Sequence, residues 1–291
     1  MEREINQEMT QEEVRERTIQ DFGNQWQIHG QVDRDYWSSK EMFTDHFGEL
    51  FDPRDIAGKV VAEVGSGSGR IINMICDFEP AKCHAIEPSA GFDILKSNTA
   101  RNSDIIEYWN CTGDSFELQD LDLVFSLGVI HHIQNPTDVV KNIHRSLKED
   151  GAFLIWVYGH EGNKSYIFIY NLLAGVTKRL PDSWLDGFSA LLNYLIQPYI
   201  WACKILPLPL RGYLLNVFNK CGWEKRKYIV FDQLNPAYAK YYKREELQAL
   251  LNAAGFSDVE FYHRHGYSWT AIARKSAARP GAVDDAGASS E

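Results

Sequence analysis

The chain has 291 residues, of which 44% are hydrophobic and 24% charged, and it carries a net charge of −10. This is the composition of an ordinary globular protein, and the length allows one large α/β domain with additions. Nucleic-acid binding relies on a basic surface, so the acidic excess argues against nucleic acid as the main partner. We therefore expect no nucleic-acid partner.

The cysteines and the first residues indicate the compartment. Five cysteines form no CxxC pair and are odd in number, which fits neither a disulfide framework nor a zinc knuckle. The sequence begins with charged residues where a secretory signal would be apolar. We expect a cytoplasmic protein, and no spacing of carboxylates or histidines predicts a metal site.

Changes of pattern along the chain predict five regions. Residues 1–57 form an N-terminal helical and aromatic cap, and 58–159 alternate strand and helix as an α/β core. Residues 160–230 lose this alternation and are predicted as a helical insertion or lid. A helix and a hairpin in 231–275 complete the sheet, and the small polar residues of 276–291 predict a disordered tail.

The alternation from Lys59 onward determines the predicted fold class. Strand and helix succeed each other at the spacing of βαβ units, whose strands are parallel. Ser89 is the expected cap of the helix that follows the second strand, and Asn135 that of a helix with Pro136 at its first position. The last two strands are expected to join around Gly266. We predict a doubly wound α/β fold with a mostly parallel seven-stranded sheet, a C-terminal antiparallel hairpin and a helical insertion.

The strongest motif runs from Glu63 to Gly69, with glycines at 65, 67 and 69. Glycines allow a tight turn and a close approach of a ligand to the backbone. A dinucleotide fingerprint would require a third glycine at Arg70, so its spacing fails. The motif E-x-G-x-G-x-G instead resembles motif I of class I S-adenosylmethionine (SAM)-dependent methyltransferases, with a loop after the fourth strand that is similar to the bacterial small-molecule, ubiquinone-biosynthesis-like group.

This resemblance covers about residues 58–157 and implies SAM as the cofactor, with specific binding roles. Glu63 would interact with the ammonium of the methionine part, usually through water. Glu87, followed by Pro88, would accept hydrogen bonds from both ribose hydroxyls. The other residues that the resemblance places beside the cofactor are Gly65, Ser66, Gly67 and Gly69 beneath it, Gly113, Asp114, Ser115 and Phe116 at the adenine, and Ser126 and Leu127 at the methionine portion.

Two adjacent histidines are the candidates for a general base. His131 and His132 follow the fourth strand, at the carboxyl end of the sheet where ligands bind in open α/β folds. A positioned histidine removes a proton from an alcohol near neutral pH. We expect only one of the two to face the pocket, with His132 favoured, while His263 and His265 are weaker candidates. Both members of the pair could instead be structural loop residues.

The insertion is both basic and apolar. Residues 165–227 contain eight Lys or Arg against three acids, a local charge of +5. Prolines and Lys204 interrupt its apolar stretch, which disfavours a transmembrane helix. Three interpretations stay open: a lid packed on the sheet, a peripheral membrane contact through residues 184–210, or a homodimer surface.

From these features we expect a methyltransferase with a small-molecule or lipid-linked acceptor, acting by O-methylation of a glycan or secondary-metabolite hydroxyl. One alternative is a C- or O-methyltransferase for a quinone or lipid precursor at the inner face of the membrane. Another is a non-catalytic SAM-fold binding module. An NAD(P)-dependent oxidoreductase is disfavoured by the glycine spacing.

Overall fold

The computed structural model describes residues 10–29, 36–164, 166–167, 182–234 and 238–276. The disordered tail predicted for 276–291 lies outside these ranges after residue 276. Parts of the predicted cap and insertion, including residues 1–9, 30–35 and 168–181, also lie outside them.

Seven strands form one sheet in the order β3-β2-β1-β4-β5-β7-β6. The first five are mutually parallel, and β7 pairs antiparallel with both β5 and β6. The strands are β1 (Val60–Val64), β2 (Lys82–Ile86), β3 (Ile106–Trp109), β4 (Leu121–Leu127), β5 (Leu147–Tyr158), β6 (Asp258–Arg264) and β7 (Ser268–Arg274). The predicted fold class is thereby confirmed. The order reverses between β1 and β4, and open α/β sheets bind ligands at such a point.

Helices cover both faces of the sheet because its central strands are almost entirely buried apolar residues. The helices of the core and of the N-terminal region are α1 (Gln11–His29), α2 (Lys40–Phe47), α3 (Arg70–Cys76), α4 (Phe92–Asn98) and α5 (Thr137–Ser146). Later in the chain come α6 (Asp182–Ile205), α7 (Arg211–Asn216), α8 (Trp223–Leu234) and α9 (Arg244–Ala253). Phe43 and Phe47 of α2 are fully buried against Phe125 of β4, so the aromatic N-terminal region packs on the sheet.

The insertion has a small core of its own. Ile200 and Cys203 of α6 pack with Leu214, Phe218 and Ile229 from the segments that follow. This cluster is separate from the two clusters that flank the sheet, so the helices α6, α7 and α8 support one another.

Two predicted helix caps are wrong by one or two residues. The helix after β2 begins at Phe92 with Gly91 at its cap, while Ser89 Oγ accepts from the Gly91 N–H at 3.1 Å and closes the preceding turn. Pro136, rather than Asn135, occupies the cap position of α5. In both cases the turn chemistry was recognised but its position relative to the first helical residue was not.

Candidate active site

The glycine turn after β1 lies at the point where the sheet order reverses. The N–H groups of Gly65 and Ser66 both donate to the Ile86 carbonyl, at 2.9 and 3.0 Å, which ties the turn to the end of β2. Gly65 has a φ of 82°, and a Cβ there would lie 2.4 Å from a methyl of Val129. A side chain is therefore excluded by backbone conformation and by space.

Glu87, at the end of β2, is held by the backbone of two neighbouring turns. One carboxylate oxygen accepts from the Gly67 N–H at 2.7 Å and the other from the Ser89 N–H at 3.0 Å. Each oxygen has a further lone pair for a ligand. The carboxylate is therefore fixed in position before any ligand binds.

Glu63 is a buried carboxyl group without a counter-ion in contact. It is 1% exposed, and its Oε2 finds no hydrogen-bond partner among the described residues. Burial raises the pKa of Glu63 to about 8, and the charge of Glu87 adds to this, while Arg70 and Ser66 oppose it. A buried carboxyl group of this kind is well suited to receive a cation, because ionisation would then be compensated.

A cavity of about 340 Å³, here called the cofactor pocket, lies along the carboxyl edge of β1, β2 and β4. Helix α1 forms one wall, and its Arg15 donates to Asp114 and Thr112, both at 3.0 Å. Burial raises the pKa of Asp114, but its hydrogen bond from Thr112 and the charge of Arg15 prevail and lower it. The predicted residues on the walls of this pocket are Gly65, Gly67, Glu87, Pro88, Gly113 and Asp114.

A second cavity of about 200 Å³, here called the aromatic pocket, adjoins the first. Its cations are Arg70, Lys225 and Arg264. Arg264 is neutralised by Asp45 at 2.6 Å and donates to the Tyr267 hydroxyl, also at 2.6 Å. The larger aromatic side chains on its walls are Trp37, Trp156, Tyr158, Tyr166, Tyr213, Tyr228, Tyr241 and Tyr267. Glu63, Ser66 and Leu127 also line it, so the methionine end predicted from the sequence faces this side.

The two pockets share one wall, to which α1, the glycine turn and the loop after β4 contribute. The shared residues are Phe22, Trp26, Gly65, Gly67, Gly128, Val129 and His132. The structure thus brings together His132 and the glycine turn, although they lie far apart in the sequence.

The structure separates the two adjacent histidines. His132 lies on the shared wall, and its Nδ1 is 2.9 Å from the Tyr238 carbonyl oxygen. A carbonyl only accepts, so Nδ1 carries the proton and Nε2 keeps its lone pair. Burial lowers the pKa of His132 to about 4. His131 lies behind it, fully buried and in tilted contact with Tyr158, with ring centroids 4.0 Å apart.

Several other predicted residues lie away from the described walls of both pockets. Phe116 is buried in a cluster beneath the sheet, and Ser115 is exposed and paired with Thr112. Ser126 donates to the Val64 carbonyl and joins β4 to β1. Gly69 ends the glycine turn at the start of α3.

The two later histidines also lie outside the described pocket walls. His265 contacts Asp45 at 2.9 Å and thus joins the ion pair of Arg264. His263 stacks on Trp269, with ring centroids 4.2 Å apart. Both have structural surroundings within the hairpin of β6 and β7.

Sequence reasoning expects the aromatic N-terminal region to close over the cofactor, but it does not assign the contacts that α1 makes in the site. Phe22 and Trp26 face both pockets, and Arg15 reaches the predicted adenine position. The available signal was the pair of large aromatic residues four positions apart in an otherwise charged helix. That spacing places them on one helical face, which needs burial.

The described ranges bear on two further features, metal binding and membrane crossing. No group of three or more His, Cys, Asp or Glu side chains in those ranges is arranged to hold a metal ion. None of the described helices is both long enough and apolar enough to cross a membrane.

Comparison with known proteins gives a domain match over the glycine turn and the central strands. Residues 62–155 match the family described as a methyltransferase domain. Among solved structures, the chain is similar to a methyltransferase in complex with the Trm112 methyltransferase activator of Haloferax volcanii. The TM-score is 0.53 at 11% identity, covering 90% of this chain and 100% of the other, and this likeness concerns the fold alone.

Curated relatives are named as tRNA U34 carboxymethyltransferases. The protein of Campylobacter lari is 28% identical over 105 residues, which are 35% of this chain and 36% of the relative. That of Desulfotalea psychrophila is 27% identical over 116 residues, covering 38% and 36%. One from Campylobacter jejuni is 28% identical over 149 residues, covering 48% of each chain. The chain thus spans less than half the length of these relatives.

These relatives contradict two expectations drawn from the sequence. The expectation of a small-molecule, glycan or lipid-linked acceptor is wrong, because these relatives are named for the modification of a transfer RNA. The exclusion of nucleic acid as a partner is wrong for the same reason. Net charge misled because it sums the whole surface, whereas RNA can be bound through a local set of cations and aromatic rings.

Proposed function

This chain carries a class I SAM-dependent methyltransferase domain, and we propose that the enzyme modifies a base of an RNA, with transfer RNA as the acceptor class. The observation that carries the proposal is the aromatic pocket, which shares a wall with the cofactor pocket. Sequence-specific RNA recognition commonly stacks an unpaired base on aromatic side chains. The names of the curated relatives support the same acceptor class.

The proposed orientation of SAM follows from the charged groups along the cofactor pocket. Asp114 lies at the end covered by α1 and would accept from the adenine amino group. Glu87 would bind the ribose diol, for which its two fixed oxygens are suited. Glu63 would bind the ammonium, and it lies on the aromatic side. The reactive methyl group then points to the shared wall.

The proposed acceptor site is the aromatic pocket. Enzymes that act on a base take it out of the stack and bind it between aromatic or apolar side chains. Tyr158 and Tyr241 stack on each other with centroids 5.5 Å apart and give this pocket a flat wall. Lys225, on the same walls, would bind an adjacent phosphate or an exocyclic oxygen.

We infer that His132 is the general base. Bound SAM would supply an activated methyl group on its sulfonium; as the acceptor atom forms its bond to that carbon, the carbon–sulfur bond would break and leave the neutral thioether S-adenosylhomocysteine (SAH). The acceptor proton goes to Nε2 of His132, which is uncharged at neutral pH because of its lowered pKa. Proximity of donor and acceptor supplies much of the remaining acceleration, about 7–11 kcal/mol in favourable cases.

In the deciding experiment, the purified full chain is incubated with total tRNA and with SAM that carries a labelled methyl group. We expect label in the tRNA, and mass spectrometry of the digested nucleosides identifies the base. SAM supplies only a methyl group, so a methylated base is the product expected here; the carboxymethyl product for which the relatives are named would require a carboxylated donor. SAH binding without transfer of label to any tRNA would contradict the acceptor proposal while preserving the cofactor.

The cofactor assignment has its own test in calorimetric titration with SAH. Glu87→Ala should weaken binding roughly tenfold or more, about 1.4 kcal/mol, for the loss of a charged acceptor. Glu107→Ala is the matched control, because Glu107 is a half-exposed acid of β3 that pairs with Lys82 outside the pocket. Equal affinity of wild type and Glu87→Ala would refute the ribose assignment.

A further inference from the structure

Helix α6 buries polar as well as apolar side chains, with Ile200 and Cys203 in the core of the insertion, and it leaves most of its large apolar side chains exposed to solvent. Ser189 and Asn193 are fully buried, and Asn193 donates to the Trp223 carbonyl at 3.2 Å. Gln197, on the same side, accepts from Arg226 at 3.2 Å. The exposed large apolar side chains of the helix and of its immediate surroundings are Trp184, Leu191, Tyr194, Leu195, Tyr199, Trp201, Ile205, Leu206 and Trp223, between 36% and 71% exposed. In an ordinary surface helix such side chains face the core.

The exposed positions follow the spacing of a helix that packs on another helix. Positions 184, 187, 191, 194, 198, 201 and 205 are separated alternately by three and four residues, and we call this row the α6 seam. An alternation of three and four is the repeat of helices that pack side by side with interlocking side chains. A lipid surface imposes no such repeat, because it has no holes to receive individual side chains.

The area of this face is sufficient for a stable protein contact. With aromatic side chains contributing up to ~250 Å² each, the exposed apolar area is on the order of 1,000 Å². The largest apolar patch of a typical monomer is about 300–600 Å². A standard interface buries about 800 Å² on each partner, so the α6 seam and its flanks match the requirement of a dimer.

We propose that the α6 seam binds the same seam of a second copy of this chain, with the two helices antiparallel about a two-fold axis at Tyr194. This register places Gly187 opposite Trp201 of the partner subunit, so the smallest position faces the largest. A Cβ at Gly187 would have no atom within 4 Å, which shows that the space above it is open. In the same register Leu191, opposite position 197, lies beside the partner's Pro198, and Trp184, opposite position 204, lies beside the partner's Ile205.

Charge complementarity supports the antiparallel direction. Asp186 lies beside the first seam positions, where it also contacts Lys227 of its own chain at 3.1 Å, and Lys204 lies beside the last. In the proposed register each Asp186 approaches Lys204 of the partner subunit, whereas a parallel pair would bring like charges together. An apolar row offers nothing to RNA phosphates.

The test measures the mass of the full chain by sedimentation across a range of concentrations. We expect a dimer for the wild type and a dissociation constant raised about thirtyfold or more by Trp201→Glu, since this large side chain lies opposite Gly187 of the partner subunit in the register. Ala249→Glu, on the exposed face of α9, is the matched control and should leave the dimer intact. Because Trp201 is 65% exposed, the variant should fold, and an unchanged thermal midpoint of dilute protein verifies this.

A cross-linking variant tests the register independently. Tyr194→Cys should form an intersubunit disulfide on mild oxidation, because a residue on the two-fold axis meets its own copy. Wild type controls for the five native cysteines. A wild-type monomer at all concentrations would overturn the proposal, whether or not it floats with phosphatidylcholine and phosphatidylglycerol vesicles. A dimer insensitive to Trp201→Glu and not linked through position 194 would overturn it as well.

Discussion

At the residue scale, the ionisation of Glu63 makes the free energy of unfolding depend on pH. In the folded protein its pKa is about 8, against an ordinary value of 4.5, so the folded state retains a proton that the unfolded chain releases. The contribution of protonated Glu63 to the free energy of unfolding is fully present below about pH 4.5 and is lost as the pH rises through 8. The reason is that the unfolded state binds fewer protons than the folded state in this pH range. We expect the thermal midpoint of the ligand-free protein to fall between pH 5.5 and 8 more steeply than that of Glu63→Gln. Parallel curves for the two proteins would disprove this assignment.

His132 provides the second test at this scale. Replacement by Asn should lower kcat by about 10²- to 10⁴-fold, the range for loss of a general base, and leave SAH affinity unchanged. Because its pKa is about 4, the wild-type rate should not show an ionisation of this group between pH 6 and 8. His144→Asn, on α5 and against Phe256, is the control. A His132→Asn enzyme with the wild-type kcat would show that His132 lines the pocket without acting as the general base.

Individual site residues were predictable where a strand end fixed them. Glu63, Glu87 and Asp114 each follow or end a strand or turn, so their convergence follows from the parallel topology. Phe116 was misplaced because a position one or two residues beyond a turn can face either the ligand or the core. Which of His131 and His132 faces the pocket depends on the 3-10 turn at Ile130–His132, which the sequence does not reveal.

At the element scale, α1 is expected to respond to the cofactor. The helix forms a wall of the cofactor pocket from Gln11 to Trp26, so a bound ligand should stabilise its packing on the rest of the protein. SAH should therefore slow tryptic cleavage after Arg15 and Arg17 severalfold, as followed by mass spectrometry of the fragments. Cleavage after Lys204 in α6 should keep its rate. Equal cleavage after Arg15 with and without SAH, at a concentration that saturates the protein, would contradict this role.

Elements that follow a simple period were predicted, and those that depend on tertiary contacts were not. The central strands and the helix α9 have apolar runs or faces that determine their type and burial. The insertion was predicted as helical, but the apolar side of α6 was expected to pack on the sheet in one interpretation. The buried side of α6 instead contains Asn193 and Gln197, which bond to Trp223 and Arg226 of α8, together with Ile200 and Cys203 in the insertion core.

At the scale of the whole molecule, the acidic charge limits how RNA can bind. The net charge is −10, and of the cations on the aromatic pocket Arg264 is paired with Asp45 while Arg70 donates to the Trp37 carbonyl. We expect about two phosphate contacts, hence a loss of roughly tenfold in tRNA affinity between 50 and 200 mM salt, compared with 10³–10⁵ for six to ten contacts. Filter binding at several salt concentrations measures this slope. A thousandfold loss would indicate a larger basic surface than the described residues provide.

Phe22 and Trp26 of α1 belong to both pockets, so a movement of α1 that admits SAM would also withdraw these two rings from the acceptor side. For the proposed function we expect SAM to bind before the RNA and SAH to leave after it. We therefore expect compulsory-order steady-state kinetics, in which SAH competes with SAM but inhibits non-competitively against RNA.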